Sequence, residues 1–162
     1  MSFESLTGGL SREQLEAHWM PFTANRQFKD NPRMIVSAEQ SHYITADGRR
    51  IYDGLSGLWC CGFGHNRPEI TEAVYKQMQS MDYSPAFQFG HPKAFELADR
   101  VAKMAPEGLD YVFFTNSGSE SADTSLKMAR AYWRQQGQPS KTKLIGRSKG
   151  YHGVNYGGIS VG

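Results

Sequence analysis

The chain has 162 residues, a formal net charge of +2, 39% hydrophobic residues and 21% charged residues. That profile fits an ordinary globular chain, long enough for one domain with a sizeable core. So small a charge, with no run of Lys or Arg, argues against a nucleic-acid partner. No apolar stretch is long enough to span a bilayer, and Met1–Leu10 lacks the apolar core of a secretory signal. A cytoplasmic protein with no membrane partner is expected. Cys60 and Cys61 are neighbours in sequence, so a bond between them would be strained; they read as reduced thiols, and they supply too few ligands for zinc.

Ser11, with Gln14 three residues on, predicts a capped short helix that ends before Pro21. Met34–Val36, Tyr43–Thr45 and Arg50–Tyr52 read as strands, the last two joined by the turn signal Asp47-Gly48, making a small antiparallel meander. Gly54, Gly57, Gly62 and Gly64 punctuate a loop. Pro68 then opens a helix, with Asn66 as its candidate cap and Ile70, Val74, Met78 and Met81 on one face. A further helix is expected over Pro92–Met104, with Phe95, Leu97, Ala98, Val101 and Ala102 inward. Tyr111–Phe114 is a continuous apolar run, the mark of a strand buried on both faces. A long helix from about Glu120 to Gln135 follows, stopped by Gly137, and Leu144-Ile145 reads as the next short strand. Strand, helix, strand in that order predict a parallel β-α-β unit. Tyr156–Gly162 shows no cap and no closing element, and the chain reads as the front of a longer protein.

Three stretches carry candidate chemistry. In Thr115-Asn116-Ser117-Gly118-Ser119-Glu120 a predicted strand gives way to a helix. This gathers unpaired N–H groups, the positive end of a helix dipole and two hydroxyls at one point, a donor set suited to phosphate. Equally, Ser117 or Ser119 simply caps the helix. The turn has neither the P-loop nor the Rossmann glycine spacing, so neither ATP nor NAD is indicated. Gly150-Tyr151-His152-Gly153 follows the next predicted strand, at the edge where α/β sheets bind ligands. Its ring could stack on a flat heterocycle and its histidine could move a proton, although spacing alone favours a plain surface turn. In the loop Leu58–His65, Trp59 is either a pocket wall or core; Phe22 and Phe87, in proline-flanked stretches, pose the same choice.

Taken in order, Asp47–Gly54, Gly64-His65-Asn66-Arg67-Pro68, Phe114–Glu120 and Tyr151-His152-Gly153 resemble the class III aminotransferases, pyridoxal-phosphate enzymes of fold type I. His18-Trp19-Met20-Pro21-Phe22 and Leu58-Trp59-Cys60 resemble the ω-amino acid:pyruvate (β-alanine:pyruvate) branch most closely. The resemblance implies an α/β fold, with an N-terminal segment and meander over 1–58 and the start of a large, parallel-sheet cofactor domain over 59–162. It implies that Ser117, Gly118 and Ser119 hold the phosphate of pyridoxal 5′-phosphate. Tyr151 would stack on its ring, with His152 and Gly153 beside it. Trp59 and Phe22 would wall the substrate pocket, and Phe87 would lie in a segment that reaches across a homodimer interface. The substrates implied are an amine or ω-amino acid such as β-alanine, and pyruvate. One departure from the family pattern is Ser121-Ala122 after Glu120, where Ala-Asn is frequent.

Such chemistry needs a lysine to form a Schiff base with the cofactor and an acid against its ring nitrogen. None of the eight lysines (Lys29, Lys76, Lys93, Lys103, Lys127, Lys141, Lys143, Lys149) matches the family's Schiff-base position. The 162 residues are therefore expected to be inactive and poorly soluble by themselves. Two other readings stay open. One is a different fold-type-I reaction, such as an aminomutase or a decarboxylase. The other is a non-catalytic binder of phosphorylated ligands.

Overall fold

The computed structural model describes residues 3–162; Met1 and Ser2 of the stretch weighed above as a leader lie outside the described residues. The chain forms two compact units, one running to Pro85 and the other from Ala86 to Gly162.

The first unit opens with two short helices, α1 (Phe3–Thr7) and α2 (Arg12–Glu16). The capping box at α2 forms as expected: Ser11 Oγ accepts the Gln14 N–H at 3.3 Å, and Gln14 Oε1 accepts the Ser11 N–H at 2.8 Å. Helix α3 (Asn25–Asp30), which carries no sequence cap signal, follows. Strands β1 (Ile35–Glu39), β2 (His42–Thr45) and β3 (Arg50–Tyr52) make the predicted antiparallel meander in the order β1-β2-β3. The β2–β3 turn closes on a Thr45 N–H bond to the Arg49 carbonyl at 3.0 Å. Its loop therefore has three residues, with Gly48 at the left-handed position (φ 82°) that such loops reserve for glycine. Asp47 fastens the turn from the side, accepting from Thr45 Oγ1 and from Arg49 Nε.

A single turn, α4 (Ser56–Trp59), precedes α5 (Pro68–Ser80). Pro68 occupies the first turn of α5, as predicted, but the cap residue is Arg67 and no side chain caps the helix. Asn66 instead donates its amide to the Ala38 carbonyl, and its backbone, at φ 51°, ends the loop one residue ahead of the cap. Met81 falls outside α5, in extended backbone.

In the second unit, α6 (Pro92–Met104) has the predicted bounds. Helix α7 (Gly118–Gln135) starts two residues earlier than expected. It stops as foreseen at Gly137, φ 72°. The chain also closes on a helical turn, α8 (Tyr156–Ile159), which the glycine-rich sequence there conceals. The two predicted strands flanking α7 do not form. Neither Tyr111–Phe114 nor Leu144-Ile145 carries ladder bonds among the described residues. A strand exists only through its neighbour, and neither segment finds one; Tyr111 and Ile145 stand 97% and 94% exposed.

The same shortage of partners governs the core. Leu15 is the one buried hydrophobic among the described residues, although the length would permit more. On α6 the inward-facing expectation reduces to the half-buried Ala98 and Ala102, with Phe95 and Leu97 exposed. Lys76 on α5 and Lys93 and Lys103 on α6 form solvent-exposed ion pairs with Glu72, Glu96 and Asp99.

Candidate active site

Ser117 has the extended backbone of a helix cap, and its Oγ accepts the Glu120 N–H at 3.1 Å, so the capping reading holds for this serine. Glu120 reaches back to the Asn116 N–H at 2.9 Å and to its side-chain amide at 3.2 Å. Thr115 Oγ1 meets Ser121 Oγ at 2.8 Å and donates to the Ser117 carbonyl. These contacts fix the turn while leaving the N–H groups of Gly118 and Ser119 without an acceptor among the described residues.

Ser119 is engaged differently: its Oγ accepts the Val154 N–H at 3.0 Å. A serine oxygen that accepts still has its own proton to give. The turn therefore offers two backbone N–H groups and two hydroxyl protons at the positive end of an 18-residue helix. At Gly118 a Cβ would meet open space, so the face is accessible. Donors, dipole and access fit a phosphate dianion.

The Ser119 bond also brings the second predicted stretch to the first. Gly153 is buried at φ 97°, and a Cβ there would come 2.6 Å from the Ser119 Cα. One turn along α7, Asp123 Oδ1 accepts the Gly158 N–H at 3.0 Å. Ser119 and Asp123 lie four residues apart, on one face of α7, and tie down the return of the chain at two points. Between these ties and Lys149, the Tyr151 ring stands 74% exposed, and His152 folds its imidazole back over Gly150. Of the lysines flanking the expected strand, Lys141 lies over the Trp133 ring at 3.1 Å from its centroid.

The three aromatic candidates all face solvent, Phe22 and Phe87 from loops and Trp59 from the end of α4, at 89–90% exposed. Phe22 sits at φ 49° in a loop closed by Asn25. The Asn25 side chain accepts the Met20 N–H at 2.8 Å and donates to the carbonyls of Met20 and Thr23. Phe87 precedes Gln88, itself at φ 64°. Trp59 ends a run in which Ser56, Gly57, Leu58 and Trp59 have φ of 50°, 59°, 57° and 71°. The α4 turn is therefore left-handed, which costs about 1–2 kcal/mol for each residue bearing a Cβ. Phe22 and Trp59 belong to the first unit. Phe87, Ser117–Ser119 and Tyr151–Gly153 belong to the second.

Sequence reasoning assigned no role to Asp53, His65 or Tyr43. The Asp53 carboxylate accepts from Leu55 N–H (3.2 Å), Gly57 N–H (2.8 Å) and His65 Nε2 (2.8 Å). Burial by itself would push this carboxyl up, but the hydrogen bonds from His65 and the two N–H groups, with the Tyr43 hydroxyl nearby, outweigh it and hold it below its ordinary value. Burial, followed by the nearby Asp53 carboxylate, pushes the Tyr43 phenol up. The available signal was the spacing of Asp53 from Leu55 and Gly57, which suits an aspartate that bonds the backbone just ahead of it.

Residues 23–162 match the Aminotransferase class-III family. The chain belongs to it. Class III aminotransferases have the pyridoxal-phosphate-dependent transferase fold of type I and use pyridoxal 5′-phosphate. The chain is 61% identical over 152 residues to the β-alanine–pyruvate aminotransferase of Pseudomonas aeruginosa, aligning 94% of itself with 34% of that protein. It is 58% identical to the ω-amino acid–pyruvate aminotransferase of Pseudomonas putida, with the same coverage. Among solved structures it is similar to a PLP-bound amine transaminase from an uncultivated Pseudomonas species, with 34% identity and a TM-score of 0.80, over 89% of this chain and 33% of that one. This class III chain thus spans about a third of the length of the curated relatives it matches. Among its described residues no helix is long and apolar enough to cross a membrane.

Proposed function

We propose that this chain forms the cofactor-phosphate turn and part of the substrate wall of a cytoplasmic transaminase that moves an amino group from an ω-amino acid or amine, such as β-alanine, to pyruvate. The observation that carries the reading is the Ser117–Ser119 turn, with four free protons at a helix start and Tyr151–Gly153 tied to it through Ser119. Pyridoxal 5′-phosphate, when bound, supplies the aldehyde that takes up the amino group and the ring that draws electrons from it. The residues of this chain bind and orient. Gly118 and Ser119 N–H, with the Ser117 and Ser119 hydroxyls, hold the phosphate. Tyr151 lies against the ring, and His152 and Gly153 shape the turn beside it.

Trp59 and Phe22 line the amine pocket, and Phe87 completes the pocket of a second copy in a homodimer. Residues 1–58 serve the small domain and 59–162 the large one. The lysine that links the cofactor lies outside this chain. The 58–61% identity to β-alanine and ω-amino acid aminotransferases supports this substrate class over an aminomutase or a decarboxylase.

The test is amino transfer by the full-length protein carrying this sequence. With β-alanine as donor, one alanine should form from pyruvate for each β-alanine consumed. Carbon dioxide release without alanine formation would overturn the reading.

A further inference from the structure

Asp53 directly follows β3, and its side chain is 6% exposed. On one side it is anchored to the sheet. His65, 11% exposed, gives it Nε2 at 2.8 Å and packs its ring against Tyr43 of β2. His65 is itself immobilised: its backbone exchanges two bonds with Gln40, and its ring lies 4.6 Å from that of Tyr43. On the other side the carboxylate takes the N–H groups of Leu55 and Gly57, where the chain enters the left-handed turn that ends at Trp59. The turn closes with Trp59 N–H on the Leu55 carbonyl and Cys61 N–H on the Ser56 carbonyl, and Gly57 packs against Tyr43 and Cys61. A left-handed run with three side-chain-bearing residues does not persist unless its surroundings hold it. Asp53 is the group that joins it to a rigid frame.

We propose that Asp53, backed by His65 and Tyr43, is a clamp that holds the Ser56–Trp59 turn left-handed and thereby sets where the Trp59 indole stands, so that Asp53 and His65 are positioning residues for amine size selectivity. The inference rests on reading Trp59 as a wall of the amine pocket. Loss of the clamp lets the turn relax to ordinary right-handed backbone and carries the indole with it. Selectivity between small and bulky amines then falls, while the phosphate turn keeps its donors.

The test uses the full-length holoenzyme and the ratio of kcat/KM for a bulky arylalkyl amine to that for β-alanine. Trp59→Ala should raise the ratio about tenfold, the scale set by a change of pocket volume. Asp53→Asn, with the same shape but one acceptor fewer, should raise it about as much with the cofactor absorbance unchanged. In a Trp59→Ala background, Asp53→Asn should add less than about twofold, because both changes act on one ring. A shift in Trp59→Ala with none in Asp53→Asn overturns the clamp and leaves Trp59 as the wall. No shift in Trp59→Ala overturns both. If Asp53→Asn fails to fold, His65→Gln and His65→Leu carry the test. Glutamine keeps a donor to Asp53 and should keep the native ratio, whereas leucine should raise it; equal ratios in the two overturn the clamp.

Discussion

Ser119 and Gly153 meet with no room to spare. The Ser119 Oγ accepts the N–H of the residue after Gly153 at 3.0 Å, and a methyl group on Gly153 would stand 2.6 Å from the Ser119 Cα. The start of α7 and the Tyr151–Gly153 turn are thus one unit, closed by a serine that can bind a ligand with the proton it has left.

Gly153→Ala should therefore disturb both halves. Its Cβ collides with backbone, and φ of 97° is unfavourable for alanine. A loss of about 1–3 kcal/mol in stability is expected, as for overpacking at a closed site. Thermal unfolding of the intact protein should show it with and without pyridoxal phosphate.

Ser119→Ala removes one ligand donor and strands the Val154 N–H. The affinity for pyridoxal phosphate should fall about tenfold, the size of one hydrogen bond with a charged group. Cofactor titration followed by absorbance measures this. Ser119→Thr, which keeps the hydroxyl, should lose less.

Asn25→Ala opens the Phe22 loop, because three backbone bonds depend on that amide. The expected result is a higher KM for the amine with the Kd for pyridoxal phosphate unmoved, together with a stability loss of about 1–3 kcal/mol for the unpaired backbone groups. Steady-state kinetics and a denaturant midpoint separate the two effects.

The Asp53 carboxyl makes stability depend on acid. Its folded value is depressed below the ordinary 3.8, so its contribution is complete well above that value and fades as pH falls through it toward the folded one. Unfolding midpoints of the native protein and Asp53→Asn should differ at pH 6 and draw together as the pH falls below about 4 toward the depressed folded value. A constant gap across that range would show that Asp53 contributes by shape alone.

How much of this was legible depended on how local each signal was. The capping box at Ser11, Pro68 in the first turn of α5, the bounds of α6 and the Asp47-Gly48 turn are set by residues within one turn of each other, and the sequence displays them. Tyr111–Phe114 has the composition of a buried strand, but composition cannot provide a neighbour, and none pairs with it among the described residues. Ser117 and Ser119 were visible as donors, whereas their division of labour, one capping and one tethering Val154, depends on a contact 35 residues away. Asp53 and His65 were visible only as members of a familiar motif, because their pairing across 12 residues is made by the fold of the meander and loop.

On the proposed reading, this chain holds the phosphate and ring of pyridoxal phosphate while a lysine outside it makes the covalent link. Borohydride reduction of the native full-length protein, followed by intact mass and peptide mapping, tests it directly. The expected product is a protein heavier than 18.2 kDa carrying one pyridoxyl-phosphate group on a lysine that is none of the eight in this sequence. An adduct on one of those eight, or an 18.2 kDa protein with no adduct, would contradict it.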